Sequence, residues 1–501
     1  MAVGPRSGGG SRDPWACLDV IDRMDVGPPR VQRRRIVVPY RVTRGRRSDA
    51  VDLIYRWEEP VLDPSEPSSR NLAAMIGAQV AMNYGLFCRR MVFHGPYDEA
   101  DRTFIERMVE NTSREILVKK FLEPNPFLAG EAARLPAARR ERYTRAAVEF
   151  PDSPARRERG GAWDADPRRC LVLSSGGKDS LLTFGLLREA GADVHPVFGN
   201  ESGRHWFTAL NAYRHFRAKV PNTSRVWMNS DRVFAWMLRR LPFIRRDFAS
   251  VRSDEYPVRL WTVAVFLFGV LPLMRERGIG RLVIGDEFDT SQRRRRAGIG
   301  HYNGLFDQSV YFDHALSRYF ARKGWGIAQL SLLRPLSEML IEKVLYERYP
   351  DLQRHQVSCH AAHVVGRRVR PCGACEKCRR IVGMLLAFDA DPSRIGYDAA
   401  QVRRCLRDVA RAGVAQESAG AEHLRWLLER RGLVECGRAS RPRPEILKLR
   451  FDGEVSPAEE IPADLRAPIY RMVLAHADGA LRRSGGAWKI FDVIGQIGQA
   501  P

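Results

Sequence analysis

The residues Ser175-Gly176-Gly177-Lys178-Asp179-Ser180 follow an apolar run, Leu171-Val172-Leu173, and precede an apolar helical pattern of Leu181, Leu182, Phe184, Leu186 and Leu187. A buried strand therefore delivers the backbone into a tight turn, and a helix begins directly after it. Two glycines let the main chain approach a ligand closely, while the helix start aims unpaired N–H groups and a positive dipole end at the same place. The expected chemistry is the binding of an anion, a nucleotide phosphate above all. The spacing is not that of a Walker loop, and the lysine stands before an aspartate.

Two further segments follow predicted strands. Gly199-Asn200-Glu201-Ser202-Gly203-Arg204-His205-Trp206 is polar and glycine-rich, as the surroundings of a nucleoside would be, with Asn200 in contact. Gly285-Asp286-Glu287-Phe288-Asp289 sets Gly285 against the nucleotide and gathers three carboxylates. Carboxylates beside a triphosphate call for a hard cation, so Mg²⁺ is expected on Asp286, Glu287 and Asp289. Acids opposing a helix dipole are the alternative. Arg293-Arg294-Arg295-Arg296 reads as a loop that either clamps an anionic substrate or faces water.

A second cluster comprises Cys359, Cys372, Cys375 and Cys378. Four thiolates close a tetrahedral shell around Zn²⁺, and C-x-x-C-x-x-C gathers three sulfurs by local turns. An Fe–S cluster is the rival, and a redox Cys-x-x-Cys is disfavoured by the additional cysteines. Cys17, Cys88, Cys170, Cys405 and Cys436 show no ligand spacing and read as small buried residues.

The elements that must position these groups are legible as periodicities. Cys170 to Leu173, Val194 to Phe198, Arg225 to Met228 and Arg281 to Ile284 read as strands separated by helices, hence an α/β, doubly wound parallel sheet whose ligands sit at the strands' carboxyl ends. Residues 1–47 read as basic and loosely structured, despite a strand-like Ile36-Val37-Val38 after Arg33-Arg34-Arg35. Residues 48–130 read as a small α/β domain, 131–166 as a linker and 167–357 as the ATP-binding domain. Residues 358–440 form the four-cysteine, helical region, and 441–501 a C-terminal tail or part of the core.

The 501-residue chain carries a net charge of +23, from 82 basic and 59 acidic residues. Such charge invites nucleic acid, but the basic residues are mostly arginine, scattered, and without an RNA-binding signature. Nucleic acid is therefore a possible but not a favoured partner; among the outcomes that the family resemblance given below implies, the four-cysteine pattern favours a small-molecule or peptide carboxylate as substrate, while the net charge modestly favours tRNA. The longest apolar stretch, Leu260 to Met274, is too short for a membrane span, contains Pro272, and reads as a buried helix. The start, Met1-Ala2-Val3-Gly4-Pro5-Arg6, has no apolar signal region, so a cytoplasmic location is expected.

The Ser-Gly-Gly-x-Asp-Ser loop resembles that of the PP-loop ATP pyrophosphatases, which cleave ATP between its α and β phosphates. The resemblance implies a sheet of the PP-loop (HUP) type and an AMP-forming reaction with Mg-ATP. It implies that Ser175, Gly176, Gly177 and Ser180 hold pyrophosphate, that Lys178 offsets its charge, and that Asp179 places Mg²⁺. Loop and cysteines together, over roughly Arg168 to Arg380, are similar to 7-cyano-7-deazaguanine synthases, which adenylate a carboxylate, convert it to a nitrile and hold zinc with four cysteines. The chain also resembles, N-terminal segment included, the ATP-dependent epimerases that invert the terminal glutamate of UDP-MurNAc-L-Ala-L-Glu. There, adenylation acidifies the α-C–H, a base removes the proton, and hydrolysis follows reprotonation on the other face. His301, His360 and His363 lie in polar contexts, as candidate bases or as structural hydrogen-bonders. The rival expectations are tRNA thiolation or lysidine formation, and a nucleotide-binding scaffold without turnover.

Overall fold

A computed structural model describes residues 13–153, 161–203, 205–251, 256–359, 361–435 and 440–497. Met1 to Arg6, Arg204, His360 and Cys436, named above, lie outside them, as does the side chain of His205.

Alternating apolar residues build a sheet of eleven strands. In chain order they are β1 (Ile21–Val26), β2 (Arg30–Gln32), β3 (Arg35–Arg44), β4 (Arg47–Trp57), β5 (Cys88–Phe93), β6 (Ala147–Glu149), β7 (Asp166–Ser174), β8 (Asp193–Glu201), β9 (Ser224–Met228) and β10 (Ile279–Ile284). A separate hairpin of β11 (Arg293–Arg296) and β12 (Ile299–Tyr302) precedes the last sheet strand, β13 (Ala328–Ser331). The order across the sheet is β13-β10-β7-β8-β9-β4-β3-β1-β5-β6, with β2 beside β3. From β13 to β9 all pairs are parallel. The chain runs outward from β7 through β8 to β9, then returns to the other side of β7 with β10 and β13. The order thus reverses between β7 and β10, where a doubly wound sheet opens a crevice for a ligand.

Strand alternation separates two cores. Cys170 and Val172 of β7 join Leu181, Leu186 and Leu340 on one face, and Leu171 joins Leu267 and Val270 on the other. Leu267 and Val270 belong to the helix Val263–Arg277, which is buried along the sheet with Pro272 inside it, as the apolar stretch predicted. Among the described residues no helix is long and apolar enough to cross a membrane.

Several expectations are corrected. The segment expected to be loosely structured up to residue 47 contains β1, β2 and β3, because Ile36, Val38, Tyr40 and Val42 alternate as a buried strand face. The boundary drawn there falls inside the β3–β4 hairpin, where Arg44 pairs with Arg47. β4 then pairs antiparallel with β9, at Tyr55 with Met228 and Trp57 with Val226, so the N-terminal strands extend the same sheet. Arg293 to Arg296 form a strand, with all four side chains exposed, because Ala297 (φ 48°) and Gly298 (φ 79°) make a tight hairpin turn. The C-terminal segment is part of the core: Leu449, Phe451, Ile469 and Val473 share the buried cluster of Leu181 and Leu186.

Candidate active site and metal centre

The turn after β7 is shaped by close approaches that only glycine permits. Gly176 has φ +74°, and a Cβ there would lie 2.8 Å from Ala209 Cα. Gly177 caps the helix Lys178–Glu189 in extended conformation and contributes no side-chain cap, which leaves the first N–H groups of the helix to a ligand. Ser180 Oγ donates to Gly177 O at 3.1 Å, and Val357 N–H donates to Gly176 O at 3.3 Å. Gly285, at the end of β10, lets the loop pack down, since a Cβ there would stand 2.8 Å from Asp179.

Beside this turn, at the carboxyl ends of β7, β8 and β10, lies a cavity of about 290 Å³. Ser175, Asp179, Ser180, Gly285 and Asp286 line one side; Gly199, Glu201, Phe234, Tyr256, Arg259 and Phe266 line another. Hydroxyls and a helix start thus face aromatic rings, the mixture of polar and flat apolar surface that a nucleotide needs. Among the described residues the cation on its lining is Arg259, whose guanidinium lies 3.7 Å from the Tyr256 ring centroid and 4.4 Å from that of Phe234.

Several expected residues stand elsewhere. Asn200 is buried, while its neighbours Gly199 and Glu201 reach the cavity, because alternate residues of β8 face opposite sides. Lys178 lies beneath the loop. Its ammonium is 2.7 Å from Asp179 Oδ1, 3.2 Å from Glu338 Oε1 and 3.5 Å from Glu287 Oε2. Burial alone would lower its pKa, but Asp179, Glu287 and Glu338 outweigh this and hold it well above the usual lysine range. Gly176 and Gly177 form the turn without lining the cavity.

The four carboxylates expected around Mg²⁺ fall into two pairs. Asp179 and Asp286 line the cavity; Glu287 and Asp289 line a small recess beside Glu417, with Glu287 also 3.5 Å from Lys178. Burial pushes Asp286 well above the usual carboxylate range despite Arg334 at 3.4 Å, and pushes Asp289 to about 6, with Glu417 and Glu338 adding to it. Mg²⁺ commonly takes one or two carboxylates with phosphate oxygens, so Asp179 and Asp286 fit the donor set. His301 and His363 lie off the cavity, the first with Nδ1 donating to Tyr302 O at 3.1 Å, the second exposed on a short hairpin.

Glu338 and Arg259 belong to no sequence motif, and Glu201 lies in the polar segment that begins at Gly199, where Asn200 is the expected contact. Glu338 begins a helix capped by Ser337, whose Oγ accepts from Leu340 N–H at 3.1 Å. That position carries it to Lys178 on one side and to Arg380 Nε, at 3.3 Å, on the other.

The cysteine set is compact. The Sγ atoms of Cys359, Cys372, Cys375 and Cys378 all lie within 4.8 Å of one another, with pairs at 3.5, 3.8 and 3.9 Å. A tetrahedron with Zn–S bonds of about 2.3 Å has edges of about 3.8 Å, so the set fits one ion such as zinc. Thiolates holding an Fe–S cluster are spread over several irons and need a wider cage. Cys372 N–H donates to Cys359 Sγ at 3.2 Å, and Ala374 and Cys375 N–H both donate to Cys372 Sγ at 3.4 Å. Cys88, Cys170 and Cys405 are buried, and Cys17 is partly so.

No protein-family model matches the chain. It is 27% identical over 224 residues to the UDP-N-acetyl-alpha-D-muramoyl-L-alanyl-L-glutamate epimerase of Xanthomonas oryzae pv. oryzae (strain MAFF 311018), a match covering 44% of this chain and 45% of that protein. The similarity therefore spans about half the length of the relative.

Proposed function

We propose that this chain is an ATP-dependent epimerase of the PP-loop type that acts on a glycopeptide acid ending in glutamate. The observation that carries the reading is the Ser175–Ser180 turn, set at the reversal of strand order and opening onto a cavity lined by Asp179, Asp286 and Arg259. The similarity to an epimerase of a muramoyl dipeptide supports the choice of substrate.

In this reading a carboxylate oxygen of the substrate attacks the α-phosphorus of ATP, forming an acyl-adenylate and releasing pyrophosphate. The free N–H groups at the start of the helix Lys178–Glu189, with the hydroxyls of Ser175 and Ser180, receive the charge developing on the phosphate oxygens. Bound Mg²⁺ would offset that charge, held by Asp179 and Asp286. Lys178 acts from beneath, as a buried cation behind the loop. The activated acyl group acidifies the α-C–H; a carboxylate of the cavity wall takes the proton, and reprotonation from the other face inverts the centre. Water then cleaves the acyl-adenylate to acid and AMP.

Incubation with Mg-ATP and UDP-MurNAc-L-Ala-L-Glu in D₂O tests the proposal. It predicts deuterium at the glutamate α-carbon, D-glutamate in the hydrolysate, and AMP rather than ADP. Absence of deuterium with AMP still formed would retain adenylation and remove epimerisation. The four-cysteine group favours a second reading, amidation of a deazapurine carboxylate, which predicts AMP only when that acid and ammonia are supplied.

A further inference from the structure

We propose that a second cavity, between the β11–β12 hairpin, the helix Ser418–Arg430 and a C-terminal sheet of three strands (Leu449–Phe451, Ala480–Ser484 and Ala487–Ile490), binds a saccharide ring and so holds the glycosyl part of the substrate. The inference rests on the glycopeptide reading above and locates a part of the ligand that the phosphate loop does not touch.

This cavity measures about 830 Å³, against about 290 Å³ beside the loop. Its apolar surface comes from Phe288 and Trp488, with ring centroids 5.9 Å apart and planes inclined at 57°, and from Tyr311. Guanidinium groups stack on Phe288 (Arg450, 3.9 Å) and Tyr311 (Arg293, 4.0 Å), which leaves Trp488 as the ring for the C–H face of a pyranose, whose edge needs hydrogen-bond donors and acceptors. The wall supplies both, as guanidinium groups of Arg293 and Arg483 and carboxylates of Asp452 and Glu454.

The charges are largely balanced within the wall. Arg450 forms two 2.7 Å bonds with Glu417, and Arg483 lies 3.3 Å from Asp452. A wall already neutralised suits a polar, uncharged ring better than a polyanion, whose phosphates would compete with these carboxylates. Open turns give access: a Cβ added at Gly453, Gly485 or Gly486 would meet nothing within 4 Å.

Adjacent residues join the two sites. Glu287 lies 3.5 Å from Lys178 under the phosphate loop, and the next residue, Phe288, lines the second cavity with the Arg450 guanidinium 3.9 Å from its ring centroid. The second cavity thus begins one residue from the group that lies under the loop.

Saturation-transfer NMR with N-acetylmuramoyl-L-alanyl-L-glutamate, which carries the sugar without a nucleotide, tests this. Sugar-ring protons should receive saturation from the wild type and from Asp179→Ala, lose it with Trp488→Ala, and regain it with Trp488→Phe. Should Trp488→Ala fail to fold, Glu454→Gln, on an exposed turn, decides: several-fold weaker binding supports the site, and unchanged binding overturns it. No transfer to the sugar in the wild type, or transfer undiminished in Trp488→Ala, also overturns it. The two proposals fail separately. Sugar binding dependent on Trp488 without AMP formation refutes the enzyme reading and keeps this site. AMP formation with a glycopeptide KM indifferent to Trp488 and Glu454 does the reverse.

Discussion

Both the Ser175–Ser180 loop and the cysteine cluster are short glycine turns that open a helix, and they differ in what holds them. At the loop, Gly176 (φ +74°) precedes the helix Lys178–Glu189; at the cluster, Gly373 (φ +64°) precedes the helix Glu376–Ala387. The loop draws its supports from across the chain: Ala209 and Gly285 beside it, Glu338 on Lys178, and Val357 on the Gly176 carbonyl. The cluster is tied by N–H to sulfur bonds between residues 359 and 375, and also from the helix Ala399–Ala412, where Arg404 Nε donates to Gly373 O at 2.9 Å and Gln401 Nε2 to Pro371 O at 3.1 Å. A bound ion would add a bond to each of the four sulfurs, a restraint that the loop does not have.

The cluster also buttresses the loop. Val357, two residues before Cys359, donates to Gly176, and Arg380, two residues after Cys378, holds Glu338 against Lys178. Metal binding at the cluster and ligand binding at the loop should therefore be coupled, each changing the other's affinity by the same factor.

Loss of a cysteine gives the largest effect. Cys375→Ser should release the bound metal and lower Tm by roughly 10 °C or more, since metal binding and local folding are one equilibrium. Mg-ATP affinity should fall with it. Metal analysis, thermal unfolding and calorimetry check this together, and unchanged metal content with unchanged Tm would remove the cluster from the account.

A smaller change probes the link. Glu338→Gln deletes one of three carboxylates around Lys178 and the anchor of Arg380. With less negative charge behind the loop, Mg-ATP should bind several-fold tighter while Tm falls and metal content stays constant. Weaker ATP binding would show that Glu338 positions the loop instead of competing with phosphate.

The smallest effect is a pH slope. Glu342, fully buried behind the loop, accepts from Gln356 Nε2 at 2.8 Å, and burial pushes its pKa from 4.5 to about 7. Between pH 4.5 and about 7 the folded chain keeps a proton that the unfolded chain has released, so this residue lowers stability as pH rises through that window. Glu342→Gln should flatten the fall, raising Tm at pH 8 by a few degrees, on the order of 1–3 kcal/mol. Parallel Tm–pH curves for mutant and wild type would contradict it.

The same contrast explains what the sequence could reveal. The cysteine spacing is local chemistry, and the sulfurs meet as their separation predicts. The strand, turn and helix around Ser175 are likewise written in periodicity. Which way each side chain turns is not: Asp286, Glu287 and Asp289 are close in sequence, but the first faces the cavity and the other two the Glu417 recess. The place of Lys178 depends on Glu338, more than a hundred and fifty residues away, and no spacing rule reaches that far. In the N-terminal segment, Arg33-Arg34-Arg35 and neighbouring polar residues obscured the alternation of Ile36, Val38, Tyr40 and Val42 that places β3 in the sheet.

The most direct test of the central claim uses UDP-MurNAc-L-Ala-L-Glu labelled with ¹⁸O in its terminal carboxylates. If the loop supports adenylation, one labelled oxygen passes into AMP when water cleaves the acyl-adenylate at its carbonyl carbon, and Asp179→Ala transfers none while keeping its Tm and metal. Unlabelled AMP, or ¹⁸O in inorganic phosphate alongside ADP, would show that the carboxylate never attacks the α-phosphorus and would contradict the account.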